Sequence, residues 1–515
     1  MSRRRPRRRA VVAALALFAL PLTLLAPSTP HAGAAPASDV LPAVPAADVL
    51  PAAPRAVARD FVGLSIEWSL IERYMGPTAR PAFVQLLRNL GSGVLRIGGS
   101  SQDLMPFDPA APNTDEIITP EDLRNIRATL DQASHGHDAW RVVLGTAMSP
   151  PKDTRPFVSP EHAKSFATAV RETFRPGQVI GIELGNEPDL SYGTSGLDRY
   201  VADLPVYAAA ISPTKAITPN TSEDILPWQQ IHERTVPTRW FWNWQQILDT
   251  QRPVHSSDHF YPLARTCVNK PYRCPSIPAL LSAEHLASLD YQVAVHSADA
   301  AQRGLTYRLE ETNTAAGRGA DGVSNVAASA TYAVDMMFHV ACPQPPDRPG
   351  SNADCRIGGV GVNLHNAEVR AFFEPEEGNG YYNAVNYDPT PAIGAPTAQP
   401  EYYALLLFSH FVQGAKTLRP VDTGTEVQGW RADGRLVLIN KTDQPITVAT
   451  PRGFVDRLTP YDSTGAGRTL DAPQVRIDGQ AVRADGSWPG FRPRLTHQTA
   501  TTLVPGEVVV ISNHP

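Results

Sequence analysis

From Phe61 onward the chain alternates short apolar runs with stretches whose apolar positions recur at helical spacing. Phe61–Ser69 reads as a strand and Arg80–Leu90 as a helix. Gly93–Gly99 (GVLRIGG) is strand-like, and Pro120–Ala133 is helical, with Thr119 at its N-cap and two acids in its first turn. Arg141–Met148 predicts a third strand, and Pro160–Phe174 a helix that opens on Ser159 and a proline. Val179–Glu187 and Asp198–Ile211 follow as strand and helix. Lys215–Thr221 with Thr238–Leu248 gives the faintest pattern of the series. Val254–Tyr261 with Pro278–Arg303, Thr306–Thr312 with Val323–Val340, and Gly359–His365 with Glu401–Phe411 complete it. Eight strand–helix pairs predict a parallel sheet with helical crossovers, closed into a (β/α)8 TIM barrel over residues 58–414. Periodicity alone also admits an open doubly wound sheet.

Past Gly414 the helical spacing stops. Glu426–Arg431, Arg435–Asn440, Ile446–Thr450, Gln474–Ile477 and Thr501–Ile511 are short strand candidates separated by Gly, Pro and Asp turns. Residues 415–515 therefore read as a C-terminal all-β sandwich domain. At the other end, MSRRRPRRR precedes an almost wholly apolar run, Ala10–Ala26, and then the small-residue segment His31–Ala35. That is the layout of a secretory signal peptide over residues 1–34, followed by an Ala/Pro-rich linker over 35–57. The sequence is thus expected to be secreted, with no membrane association after cleavage.

Composition narrows the picture. A net charge of -5 in 515 residues argues against a nucleic-acid partner, which would call for a basic face. The four cysteines fit an exported protein, and the pairs that close the smallest loops are Cys267–Cys274 and Cys342–Cys355. Neither spacing suits a metal site. The Gly-rich stretch Gly91–Gly99 does not have G-x-G-x-x-G spacing and no H-E-x-x-H helix occurs, so no cofactor and no metal is expected.

The candidate chemistry lies at strand ends. Alternation along IGIELGNEPD puts Glu183, Gly185 and Glu187 on one face, and Glu187 falls at the C-terminal rim, where barrel active sites lie. In TYRLEETN alternation places Tyr307, Leu309 and Glu311 together, so Glu311 is expected to point inward with Leu309 at the end of the seventh strand. Two rim carboxylates are what glycoside hydrolysis needs: one protonates the leaving oxygen, and the other attacks the sugar or activates water.

With these residues in view, the chain resembles glycoside hydrolase family 79 of clan A, which includes β-glucuronidases and heparanases. The likeness is carried, in family order, by LRIGGSSQD (Leu95–Asp103), IELGNEPD (Ile182–Asp189), HFYP (His259–Pro262), YRLEETN (Tyr307–Asn313) and GVNLH (Gly361–His365). The resemblance implies a retaining mechanism with Glu187 as acid/base and Glu311 as nucleophile. It further implies that Tyr261 donates to the nucleophile and that Asn186 contacts the sugar 2-hydroxyl. Arg96 and His365 are nominated as further substrate contacts, with Arg96 and Glu183 sharing the barrel interior. The substrate class is a glycoside, oligosaccharide or polysaccharide, first of all a β-glucuronide. One departure stands out: the family's Tyr after the nucleophile is replaced by Thr312–Arg318, in which Arg318 offers a cation. A neutral-sugar β-glycosidase of glucosidase or xylosidase type, and a non-catalytic carbohydrate-binding barrel, remain as alternatives. Trp68, Trp228, Trp240, Trp242 and Trp244 are candidates for stacking on sugar rings.

Overall fold

The computed structural model describes residues 53–114, 116–135, 139–150, 155, 157–222, 239–369, 378–387, 395–464 and 468–514. The expected leader and most of the linker lie outside these. Eight strands, β1 (Gly63–Glu67), β2 (Gly93–Gly98), β3 (Trp140–Thr146), β4 (Val179–Leu184), β5 (Ala216–Thr221), β6 (His255–Phe260), β7 (Thr306–Thr312) and β8 (Val362–Asn366), close into a barrel. Each pairs in parallel with the next, and β8 returns to β1.

The helices form where the spacing predicted them, and their starts are capped as the sequence suggested. Asp122 accepts the Thr119 backbone N–H at 2.8 Å, and Ser159 Oγ accepts from His162 N at 3.2 Å. The apolar faces of these helices pack on the outside of the barrel. Inside, Val94, Val143 and Ile217 form a small apolar cluster. Further along the same strands the barrel interior becomes charged, and there the site begins.

Two features differ from simple alternation. On β4 the extended backbone ends at Leu184: Gly185 has φ 75° and Glu187 φ 49°. Gly185 is required on two counts, because a Cβ there would also meet the Met148 carbonyl oxygen at 2.4 Å. On β7 the ladder shifts register against both neighbours, between Asp258 and His259 on β6 and between Val362 and Leu364 on β8. Tyr307 faces outward, bonding Asp258 under the helix Ala283–Gln302, while Glu310 bonds His255 Nε2 at 2.6 Å. The expectation that Glu311 points inward together with Leu309 is therefore corrected. Arg308 and Glu310 occupy the inward positions, and the irregularity turns Glu311 to the same side.

The C-terminal region is antiparallel. Leu418–Val421, Gln428–Ala432, Arg435–Ile439, Val508–Ser512, Gly453–Tyr461 and Gln474–Ile477 lie in that order in one sheet, and Ile446–Ala449 pairs with Ala500–Leu503 in a second. One face of the larger sheet presents Trp430, Val437 and Val510 to the barrel helices, where Trp430 stacks on Phe338 at 5.0 Å. The other face packs Leu436, Leu438 and Val509 against Val448 and Leu503 of the second sheet. The barrel and the sandwich share one continuous core, and a buried ion pair, Lys441 Nζ to Asp335 Oδ2 at 2.7 Å, joins them. Both disulfides, Cys267–Cys274 and Cys342–Cys355, form as loop length predicted. Among the described residues no helix is long and apolar enough to cross a membrane.

Candidate active site

At the C-terminal rim of the barrel a cleft of about 430 Å³ is lined by Glu187, Glu311, Tyr261, His365, Glu67 and Tyr382, among others. Glu187 arrives from the left-handed turn that ends β4 and starts the short helix Pro188–Tyr192. Its backbone N–H bonds the Asn220 carbonyl at 3.1 Å, which fixes the turn against β5. Next to it, Asp189 accepts from the backbone and hydroxyl of Ser222 at 2.8 and 2.6 Å. Behind the turn, Asp103 accepts from the backbone N–H of Asn186 and of Met148, each at 3.2 Å. Burial pushes that carboxyl up to about 7.

Glu187, His259 and Glu311 bring one ligand-type atom each within 4.8 Å of one another. A carboxylate oxygen of Glu187 and one of Glu311 are therefore no further apart than that. His259 Nδ1 sits between them, 3.1 Å from Glu187 Oε1 and 4.0 Å from Glu311 Oε2. Burial works against a charge on this imidazole, but the Glu311 charge and the bond to Glu187 raise its pKa to about 9. Such a trio also has the donor types of a metal site. Arg96, paired with Glu311, also brings a cation to it.

Arg96 organises the layer beneath the cleft. It is fully buried and pairs through Nε and Nη2 with both oxygens of Glu183, the Nε bond being 2.8 Å. Nη2 also donates to Asn186 Oδ1 at 2.8 Å, and Nη1 to Glu311 Oε2 at 2.5 Å and Ser65 Oγ at 3.1 Å. The expected pairing of Arg96 with Glu183 is thus present, and each would be costly alone. Arg96 is not on the cleft wall. It lies behind Glu311 and Asn186, and the Asn186 carbonyl oxygen is turned toward it.

Glu311 is surrounded by donors. Tyr261 gives its hydroxyl hydrogen to Oε1 at 2.7 Å. His365 Nδ1 stands 3.7 Å from Oε2, and its own ring is fixed by Ser65 Oγ at 2.8 Å and by Glu67 Oε1, 3.4 Å from Nε2. Burial alone would raise the Glu311 pKa. The charges of His365, His259 and Arg96, together with the Tyr261 bond, outweigh it and hold the carboxyl well below the usual range. Glu187 is the more open of the pair, with its side chain 20% exposed.

The structure brings Glu187, Glu311, Asn186, Tyr261, Arg96 and His365 into one cluster. Arg318 also lines the cleft, in the loop that replaces the expected Tyr. Of the tryptophans, Trp68, Trp240 and Trp244 are buried packing residues. Trp242 lies on the outer helix Arg239–Trp242, away from the cleft, and Trp228 falls outside the described residues. Among the residues at the site that escaped the sequence reading are His259, which is buried between the two carboxylates, and Glu67 and Tyr382 of the cleft wall. His259 shares its strand face with Ser257, and Glu67 ends β1, so both were legible by alternation. Tyr382 lies in the turn that follows the short strand Gly378–Asn379; its ring stacks on Tyr261 with centroids 6.1 Å apart. A Gly-rich turn leading into two tyrosines was its only signal.

No family model and no curated protein matches the chain. Solved structures do share its architecture. A 4-O-α-L-rhamnosyl-β-D-glucuronidase from Fusarium oxysporum is 16% identical, with 90% of this chain and 99% of that one covered and a TM-score of 0.62. The family 51 α-L-arabinofuranosidase AbfB from Bifidobacterium longum is 13% identical, with 90% and 98% covered and a TM-score of 0.54. A GH39 β-xylosidase from Caulobacter crescentus is 14% identical, with 90% and 98% covered and a TM-score of 0.50. The chain has the fold of these glycoside hydrolases, a barrel with an accompanying β domain.

Proposed function

We propose that this protein is a secreted retaining β-glycosidase of the family 79 kind, with β-glucuronides as its first substrate class. The assignment covers a leader over 1–34, a linker over 35–57, a catalytic barrel over 58–414 and an accessory β-sandwich over 415–515. The observation that carries it is the pair of rim carboxylates with oxygens within 4.8 Å, Glu311 buried among donors and Glu187 the more open of the two. Retaining enzymes hold their two carboxyl groups about 5–5.5 Å apart, while inverting enzymes leave room for a water between them at roughly 6.5–9.5 Å.

In this reading Glu311, kept ionised by Tyr261 and Arg96, attacks the anomeric carbon and forms a glycosyl ester. Glu187, more open to the leaving group, protonates the departing glycosidic oxygen. It then takes a proton from the water that attacks the ester, and Glu311 leaves as a carboxylate. Asn186, oriented by Arg96 and by Asp103, is placed to bond the sugar 2-hydroxyl as the ring gains oxocarbenium character. His259 bonds Glu187 Oε1 and adds positive charge between the two carboxylates. The buried cationic layer thus serves the attacking group, and the rim turn serves the acid.

The glucuronide preference draws support from the cleft wall. Arg318 lines it where the family's Tyr is missing, and Tyr382 supplies a phenol from the loop after β8. Two charge-assisted contacts to a uronate, each worth about 1.5–3 kcal/mol, would give a preference of at least about a hundredfold in kcat/KM. The test is a set of aryl β-glycosides that differ only at C5. An aryl β-glucuronide should be turned over at least about a hundredfold better than the matching β-glucoside. Comparable rates would replace the glucuronidase reading with the neutral-sugar one, and no turnover of any member would remove the enzyme reading altogether.

A further inference from the structure

Two residues beyond the nucleophile, Asn313 is fully buried and touches no part of the cleft surface. Its Oδ1 accepts the Thr314 backbone N–H at 2.7 Å, which fixes which way the amide faces. The Nδ2 group then looks toward three oxygens: the His365 carbonyl at 3.0 Å, the Tyr382 carbonyl at 3.0 Å, and Glu401 Oε2 at 3.1 Å. The first two belong to residues that line the cleft from β8 and from the turn after it. Asn313 is thus a direct tie between the nucleophile strand and the neighbouring wall of the pocket, formed by β8 and the turn after it.

The rest of that wall is seated by similar amide bonds. Asn383 holds both the N–H and the carbonyl of Ala367 at 2.9 Å, and Asn366 Oδ1 accepts from Val385 N at 3.0 Å. Neither reaches the Tyr382 backbone itself; Asn313 does.

Glu401, in the first turn of the helix Pro400–Phe411, is an unusual neighbour for such a tie. It is 1% exposed, and its Oε1 has no hydrogen-bond partner. No ion pair to Glu401 occurs among the described residues, and a single amide donor meets Oε2. An ionised carboxylate so placed would carry an uncompensated buried charge. A protonated acid offers Oε2 as an ordinary carbonyl acceptor, and burial pushes its pKa in that direction. The site is then neutral throughout: an amide that gives two hydrogens to three weakly competing acceptors.

We infer that Asn313 is a specificity-determining positioning residue, which sets His365 and Tyr382 against the sugar from behind, and that Glu401 acts as its uncharged seat. The inference rests on the glycosidase reading above, since the wall it positions is the proposed sugar pocket. Neither residue touches substrate, and Glu311 keeps its Arg96 and Tyr261 bonds without them. Their loss should therefore appear in binding and in sugar choice before it appears in the chemical step.

The experiment compares Asn313→Ala, Glu401→Ala and Glu401→Gln on an aryl β-glucuronide and the matching β-glucoside. Each lost tie should be worth a few-fold to about tenfold. Asn313→Ala and Glu401→Ala should raise KM for the glucuronide at least about fivefold, change kcat less than KM, and lower the glucuronide-to-glucoside ratio by a similar factor. Glu401→Gln, a neutral isostere that still accepts at the same place, should recover most of what Glu401→Ala loses. Unchanged KM and ratio in both alanine variants would overturn the positioning role. A Glu401→Gln as impaired as Glu401→Ala would overturn the uncharged seat. If Asn313→Ala does not fold, the two Glu401 variants carry the test. Failure of the underlying reading looks different, because the unmodified protein would then turn over neither glycoside.

Discussion

Tyr261 and Glu311 are joined by a hydrogen bond of 2.7 Å, from the phenol to Oε1, at the ends of adjacent barrel strands. If Glu311 is the nucleophile, as proposed, it must be ionised to attack, and activity should appear as pH rises through its pKa, which this bond helps to hold down. Removing the donor raises that pKa. Tyr261→Phe should therefore move the acidic limb of the kcat/KM profile to higher pH and lower the plateau about tenfold or more, the usual worth of a hydrogen bond to a buried charge. An acidic limb that stays in place would separate Tyr261 from the nucleophile.

Glu187 and Glu311 should fail in different ways. Glu187→Ala should spare the first step on substrates with very good leaving groups, which need little protonation, and should slow the second step. Azide, which needs no general base, should restore turnover and give the β-glycosyl azide. Glu311→Ala should lose turnover on every substrate. An α-configured azide, or equal losses in the two variants on activated substrates, would contradict the roles.

Much of this was legible in the sequence. The eight strand–helix pairs follow from periodicity, because both faces of a parallel strand and one face of each helix are buried and leave an apolar signature. Glu187 and Glu311 were legible as rim carboxylates for the same reason. What alternation missed is local backbone irregularity. It placed Glu311 with Leu309, whereas the register shift on β7 puts Glu310 and Glu311 on one side. It also missed Gly453–Tyr461, the nine-residue strand between Val508–Ser512 and Gln474–Ile477. That segment carries Asp456, Arg457 and Pro460, so its pattern reads as a loop, although its alternate residues are buried by the neighbouring strands. Tyr382 was hidden because a residue placed by a turn after the last strand has no periodicity to betray it.

The contact between barrel and sandwich makes a separate prediction about stability. His339 Nδ1 lies 2.9 Å from Asp290 Oδ1, and its Nε2 lies 3.6 Å from Asp335, which Lys441 also pairs. Burial works against the imidazolium, but Asp290 and Asp335 raise its pKa from 6.5 to about 10. A group with a raised folded pKa contributes stability that is fully present below its unfolded pKa and is lost as pH rises through the folded one. The melting temperature should accordingly fall between pH 6.5 and about 10. Asp290→Asn should start lower and fall less over the same range, whereas two parallel curves would show that His339 does not titrate there.

Glu311, as the proposed nucleophile, should form a covalent bond to the sugar. A 2-deoxy-2-fluoro-β-glucuronyl fluoride should glycosylate the carboxylate of a retaining enzyme of this kind and be released slowly, since the fluorine destabilises both oxocarbenium-like transition states while the anomeric fluoride leaves readily. After brief incubation and proteolysis, mass spectrometry should find one fluoroglucuronyl group, on the peptide that contains Glu311, and activity should be lost in proportion. Label on a peptide that lacks Glu311, or full turnover of aryl glycosides with no covalent adduct and with inverted product, would contradict the account.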